Sequence, residues 1–138
     1  MGVALKQSEV FAAYSSLPDV GVALFDERGN VLRANSYFTN MIHVPEDQSS
    51  SVNYFDLAVP EDREKEAAEF AKLISGTEQS YIQENRFCLN GSTPGHYDGV
   101  FHVMCQVTCY KYNNTSFFLL IADEFKIFRH FRKPQIEP

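Results

Sequence analysis

Apolar residues first gather in two short runs, Val22-Ala23-Leu24-Phe25 and Val31-Leu32, on either side of the polar stretch Asp26-Glu27-Arg28-Gly29-Asn30. Gly29 and Asn30 tolerate the positive φ of a tight turn, so the pattern predicts a β-hairpin. The period then changes. Phe38, Met41 and Ile42 recur at i, i+3 and i+4 behind Asn35, which predicts a short helix capped by the asparagine at a value of about 1 kcal/mol. Tyr54-Phe55-Asp56-Leu57 reads as a helical turn. Pro60 and the acids after it open a longer helix that Gly76 closes, and its predicted buried face is Ala67, Phe70, Ala71 and Ile74 with the charged residues in solvent.

Three longer strands follow, at about residues 79–89, 97–112 and 115–123, joined through Asn90 to Gly95 and through Asn113-Asn114. The order ββ, helices, βββ is an α+β pattern. Alternation along the middle strand puts Phe101, Val103, Cys105, Val107 and Cys109 toward the core and His102, Met104, Gln106, Thr108 and Tyr110 on the other face. The last strand, Phe117 to Ala122, is apolar on both faces, which a sheet with one side in water does not tolerate. The N-terminal segment offers a cover: Val10, Phe11, Tyr14 and Leu17 fall at helical spacing before Pro18 breaks the pattern. It covers its own sheet or a partner's, and Met104 and Tyr110 become docking residues in either case. The expected division is a capping or dimerisation helix over 1–17, a domain over 18–125 and a basic helix or linker over 126–138.

Composition sharpens this picture at a few points. At 138 residues the chain buries roughly 65–70% of its unfolded surface as one domain, without help from a disulfide or metal. Residues 126–138 hold four Lys/Arg and one acid, so the tail carries +3 of a net charge of −6 and the remainder −9. The acidic body argues against nucleic-acid binding. The tail's Phe125, Phe128 and Phe131 amid Lys126, Arg129, Arg132 and Lys133 suit a short helix with a basic end, an anionic membrane surface or nucleic acid. No apolar run approaches the length of a membrane span. Three cysteines, an odd number, and no apolar leader predict a reducing, intracellular setting, cytoplasmic or nuclear. Cys105 and Cys109, on one strand, would stand roughly 13 Å apart, too far for a bond or a shared ion. His96, His102 and His130 show no metal spacing.

Five stretches together, "GVALFDERGNVLRAN", "SYFTNMI", "YFDLAVPEDR", "YIQENRF" and "FFLLIADEF", resemble a PAS domain over roughly residues 18 to 125. The resemblance implies a five-stranded antiparallel sheet of order 2-1-5-4-3, with short helices on one face around a small pocket and the N-terminal helix on the other. It implies a sensory or interaction role, and it matches Asn35 to the family's capping asparagine and Asp62 to the aspartate of its helix start. Light sensors of the LOV class carry a cysteine in a polar helix start, whereas Cys88, Cys105 and Cys109 fall on strands. Haem sensors place a histidine on the long helix, and residues 61–75 contain none; His43, at the end of the first helix, is better placed to complement its dipole. No flavin or haem is expected, and no other cofactor is required.

The pocket walls implied by the resemblance are Phe38, Ile42, Tyr54, Phe55, Phe70 and Ile74 from the helices and Phe101, Val103, Cys105 and Val107 from the sheet. The same residues also make an ordinary filled core. Arg86 is placed to pair with Glu61 or Asp62 at the helix–sheet junction. Two readings of function follow: a sensory module of a larger signalling or transcription-regulating protein, binding an apolar small molecule, or a ligand-free association module. Either forms a homodimer or a heterodimer with a related PAS domain and acts on an effector domain or partner chain. A small α+β enzyme is a remote third, because it needs a carboxylate or histidine base in the pocket and the inner strand face offers none.

Overall fold

The structure, a computed structural model, describes residues 6–88 and 100–124. The first hairpin forms as its turn residues require. β1 (Gly21–Asp26) and β2 (Val31–Ala34) pair antiparallel with a register shift after Leu24. Asp26 Oδ1 accepts from the Arg28 and Asn30 amides at 2.9 Å each. Gly29 takes φ +88°, whereas Asn30 does not take the positive φ expected of it and instead bridges to Asn53. A Cβ on Gly29 would stand 2.7 Å from the Phe55 ring, so the glycine serves both the turn and the docking of the next helix.

Helix α1 (Gln7–Tyr14) precedes this hairpin; α2 (Ser36–Met41), α3 (Tyr54–Leu57) and α4 (Arg63–Ser75) follow it, with 3₁₀ turns at Glu46–Ser51 and Pro60–Asp62. Gly21 lets α2 approach the sheet closely, since a side chain there would press on the Phe38 backbone at 3.1 Å. Gly76 closes α4 in the left-handed region, at φ +83°. β3 (Ser80–Cys88), β4 (Val100–Tyr112) and β5 (Thr115–Glu124) complete the sheet. Asn113 and Asn114 both adopt positive φ, 53° and 63°, as a two-residue hairpin turn demands.

The sheet is antiparallel with order β2-β1-β5-β4-β3, so the resemblance stated its topology correctly. Its inner face carries Ala23, Phe25, Phe118, Leu120, Val103, Cys105 and Val107 against α2, α3 and α4. Its outer face carries Val22, Leu24, Phe117 and Leu119 under Val10 of α1, with Phe11 and Tyr14 packed beside them. α1 therefore covers its own sheet. Leu17 does not join this cover; it lies beyond the end of the helix and is 41% exposed. Met104 and Tyr110 are half-buried, and Tyr110 stacks on Phe117 at 5.5 Å.

α4 is turned from its expected orientation. Glu66, Phe70 and Leu73 are buried, while Ala67, Ala71 and Ile74 face solvent. Ile74, expected as a pocket wall, is 39% exposed. Both stripes share Phe70 and differ by about one position; the reason an acid occupies the inner one lies on other elements, below. The turn at Asn90 to Gly95, His96, the 126–138 segment and the Phe101 side chain lie outside the described residues. The backbone of Phe101 pairs with Phe87.

Candidate functional site

Two hydrogen bonds position the centre of the molecule. The Tyr54 amide donates to the Gly29 carbonyl at 2.7 Å and the Val59 amide to the Arg86 carbonyl at 3.0 Å, which fixes α3 between the first hairpin and β3. Asn53 caps α3 by accepting from the Phe55 amide at 3.0 Å. The Tyr54 ring consequently stacks on Phe25 with centroids 4.5 Å apart. Phe70 meets Phe118 at 4.0 Å, Phe55 at 4.9 Å and Phe25 at 5.6 Å, and Phe87 stands edge-on to Tyr54 at 6.2 Å. These six rings occupy the layer between helices and sheet. Phe38, Ile42, Val103, Cys105 and Val107 are buried around them, as expected, and Phe55 is partly buried.

One polar cluster stands within this apolar layer. Glu66 is 1% exposed, and its Oε1 accepts from Tyr54 Oη at 2.6 Å, Tyr81 Oη at 3.3 Å and Asn85 Nδ2 at 3.4 Å. Burial raises the Glu66 carboxyl above its usual range, although the bonds from Tyr54, Tyr81 and Asn85 and the charge of Lys65 pull the other way. Burial likewise raises the Tyr54 and Tyr81 phenols and the Cys105 thiol beside them. This corrects the expectation that the charged residues of α4 all lie in solvent: Glu66 supplies the core with a carboxylate that the inner strand face was not expected to offer. Neither Tyr81 nor Asn85 was named from the sequence, although strand alternation carried the signal, since both lie on the face of β3 that bears Phe87. Glu66 carried no such signal.

Arg86 braces the helix start as expected of it. Its Nε and Nη2 meet Asp62 Oδ2 and Oδ1 at 3.0 and 2.8 Å. The hydrogen bond from Arg86 lowers the Asp62 carboxyl below its usual value of 3.8. The pair's contribution is therefore present above that value and lost as pH falls through the lowered one. Because the two side chains are 38% and 21% exposed, Arg86→Ala should cost only about 1 kcal/mol at neutral pH. Urea unfolding should show the difference from the unaltered chain shrinking in acid; a constant difference would mean the pair is not its source.

A family model described as the PAS fold matches residues 9–123. The chain belongs to the PAS family. Solved PAS domains share its fold at low identity. One from Colwellia psychrerythraea has a TM-score of 0.67 at 13% identity, covering 85% of this chain and 94% of its own. Another, from a two-component sensor histidine kinase, has 0.62 at 19% identity, covering 86% and 99%. The PAS domain of the Cronobacter turicensis RpfR quorum-sensing receptor, in complex with BDSF, has 0.61 at 15% identity, covering 80% and 98%. No curated protein sequence matches the chain.

In this PAS domain the capping asparagine does more than cap. Asn35 Oδ1 accepts from the Phe38 amide at 2.9 Å and the Val22 amide at 3.0 Å, while Nδ2 donates to the carbonyls of Val20 at 3.2 Å and Ser15 at 3.3 Å. One side chain thus joins α2, the start of β1 and the exit of α1. Among the described residues, one open groove of about 390 Å³ runs from the end of α4 to Lys111 past the core residues Leu73 and Cys109, and another of about 510 Å³ lies between Lys6 and Tyr112. Cys88, Cys105 and Cys109 are all free thiols. Among the described residues no cluster of His, Cys, Asp and Glu is arranged to hold a metal, and no helix is long and apolar enough to cross a membrane.

Proposed function

We propose that this chain is a non-catalytic sensory and regulatory PAS module of a larger signalling or transcription-regulating assembly. Its input is a small, mostly apolar molecule taken into the core; its output is association with a second PAS domain, its own copy or a related one, through α1 and the outer sheet. The observation that carries this reading is the double burial of β1 and β5. Ala23, Phe25, Phe118 and Leu120 pack in the core while their chain neighbours Val22, Leu24, Phe117 and Leu119 pack under α1. Strands cannot slide in the core without disturbing the helix, because both faces are close-packed. The RpfR receptor domain held with BDSF or with C12:0 supports the small-molecule half. The core carboxylate does not favour catalysis, since Tyr54, Tyr81 and Asn85 occupy it.

The contact between the six rings favours a second reading, an association module without a ligand. Mass spectrometry of the purified protein after denaturation, with light scattering of the native protein at tens of micromolar, separates the two. The first reading expects a stoichiometric small molecule and a dimer that Phe11→Glu with Leu17→Glu, at a half-buried and an exposed position, converts to a folded monomer. A dimer free of any such molecule leaves association alone, and a ligand-free monomer overturns both.

A further inference from the structure

α1 covers only part of the outer sheet. The register of β3, β4 and β5 continues that face beyond the cover: Ile82, Gln106 and Ile121 stand side by side, and Glu84, Met104 and Asp123 form the next row. Ile82 is 66% exposed, the most of any large apolar side chain among the described residues, while Met104 and Ile121 are half-buried. An apolar strip that ends on an open isoleucine of an edge strand marks a surface that something meets. The strip has a sign as well. Glu84 and Asp123 flank Met104, whereas Arg86, one row further along beside His102, is paired with Asp62.

We propose that residues 125–133 of this chain seat on the part of the outer sheet that α1 leaves open, their apolar side chains on Ile82, Met104 and Ile121 and their cations beside Glu84 and Asp123. The chain leaves the described fold at the border of this strip, because Glu124 pairs with Val103, next to Met104. Ile82 lies two strands across and three residues back from that point, roughly 10 Å each way and about 14 Å in all. The nine residues from Phe125 to Lys133 span about 13 Å if helical and up to about 30 Å if extended. Phe128 and Phe131 reach Ile82 in either form. Charge agrees with this seat, since residues 126–138 carry +3 and the rest of the chain −9. A tail joined directly to β5 meets the strip at an effective concentration of about millimolar, whereas a second copy offers the same tail only at its bulk concentration and brings a net charge of −6 that opposes its approach. The seat adds to the reading of α1 as the association surface and does not rest on it, nor on any ligand in the core.

The test is methyl NMR of the full chain carrying ¹³C-labelled isoleucine. The Ile82 δ1 methyl should show nuclear Overhauser contacts to a phenylalanine ring. Phe128→Ala with Phe131→Ala should erase them and move the signal to the position of a solvent-exposed isoleucine, while the methyl of Ile42, buried in the core, stays in place. Glu84→Lys, at an exposed position, should weaken the contact, and added salt should do the same in the unaltered chain. Mixing isoleucine-labelled chains with phenylalanine-labelled ones separates the occupants: contacts confined to single chains support the seat, and contacts between chains give the strip to a second copy and overturn it. An Ile82 methyl already at the exposed position in the unaltered chain sinks the proposal without recourse to any variant, and contacts that survive the double alanine substitution sink it too. Sedimentation with vesicles of phosphatidylcholine and phosphatidylserine in place of the Ile82 contact would assign the tail to an anionic membrane and overturn the seat on the sheet.

Discussion

Phe25→Ala is expected to destabilise the fold by about 3–5 kcal/mol, measured as a lowered urea midpoint at unchanged slope. Phe25 is fully buried and stacks on three rings at once: Tyr54 at 4.5 Å, Phe70 at 5.6 Å and Phe118 at 5.7 Å. Those neighbours come from α3, α4 and β5, each anchored elsewhere, so they cannot collapse together into the space left behind. The cost should therefore include most of the cavity contribution as well as the lost transfer energy. Against a usual total of about 5–15 kcal/mol for a domain, this is a large share of the margin. A loss below about 1 kcal/mol would mean that the ring borders open space already present, and would favour a pocket over a filled layer. The same variant should loosen α1, because Leu24 beside it carries the other face.

Asn35→Ala is the second large effect, expected at about 2–4 kcal/mol in the same measurement. A helix cap alone is worth about 1 kcal/mol, but the substitution also strips the Val22 amide and the Val20 and Ser15 carbonyls of their partner. Unpaired groups in a partly buried place cost about 1–3 kcal/mol each when water cannot reach them, and less when it can. Asn35→Asp retains the acceptor toward Phe38 and Val22 and loses the donor, so its cost should fall between the two. An Asn35→Ala loss no greater than that of Asn35→Asp would show that the acceptor side, toward Phe38 and Val22, contributes nothing.

The asparagine also shows what could be read in the chain before its structure. A short-range signal, an asparagine followed by i, i+3, i+4 apolar residues, was enough to place the cap. The three further bonds run to residues 13 to 20 positions away and have no local signature. The hairpins were legible for the same reason the cap was: Gly29 and the Asn113-Asn114 pair advertise backbone conformations that other residues resist. The sheet order was not local, and it came from the resemblance.

α4 marks the boundary of such reading. Periodicity assigned its glutamates to water, which is right for most helices, and chose Ile74 over Leu73. Three donors on Tyr54, Tyr81 and Asn85 await Glu66, and they turn the helix so that an acid and Leu73 flank Phe70 on the inside. A buried charge-bearing group is tolerated only with such partners. Nothing within α4 announces them.

The stretch from Val52 to Val59 has a further consequence. At one end the Val52 carbonyl accepts from the Val31 amide of β2 at 3.0 Å; at the other the Val59 amide donates to the Arg86 carbonyl of β3 at 3.0 Å. β2 and β3 are the two outermost strands, and Asn53 and Ala58 add an isolated bridge to each, at Asn30 and Phe87. A single crossing segment thus covers part of each rim. Open rims invite strand addition from other chains, the first step toward domain swapping and fibrils. Where the segment crosses, at Val31 of β2 and Arg86 of β3, the rim groups are already paired and offer nothing to an incoming strand.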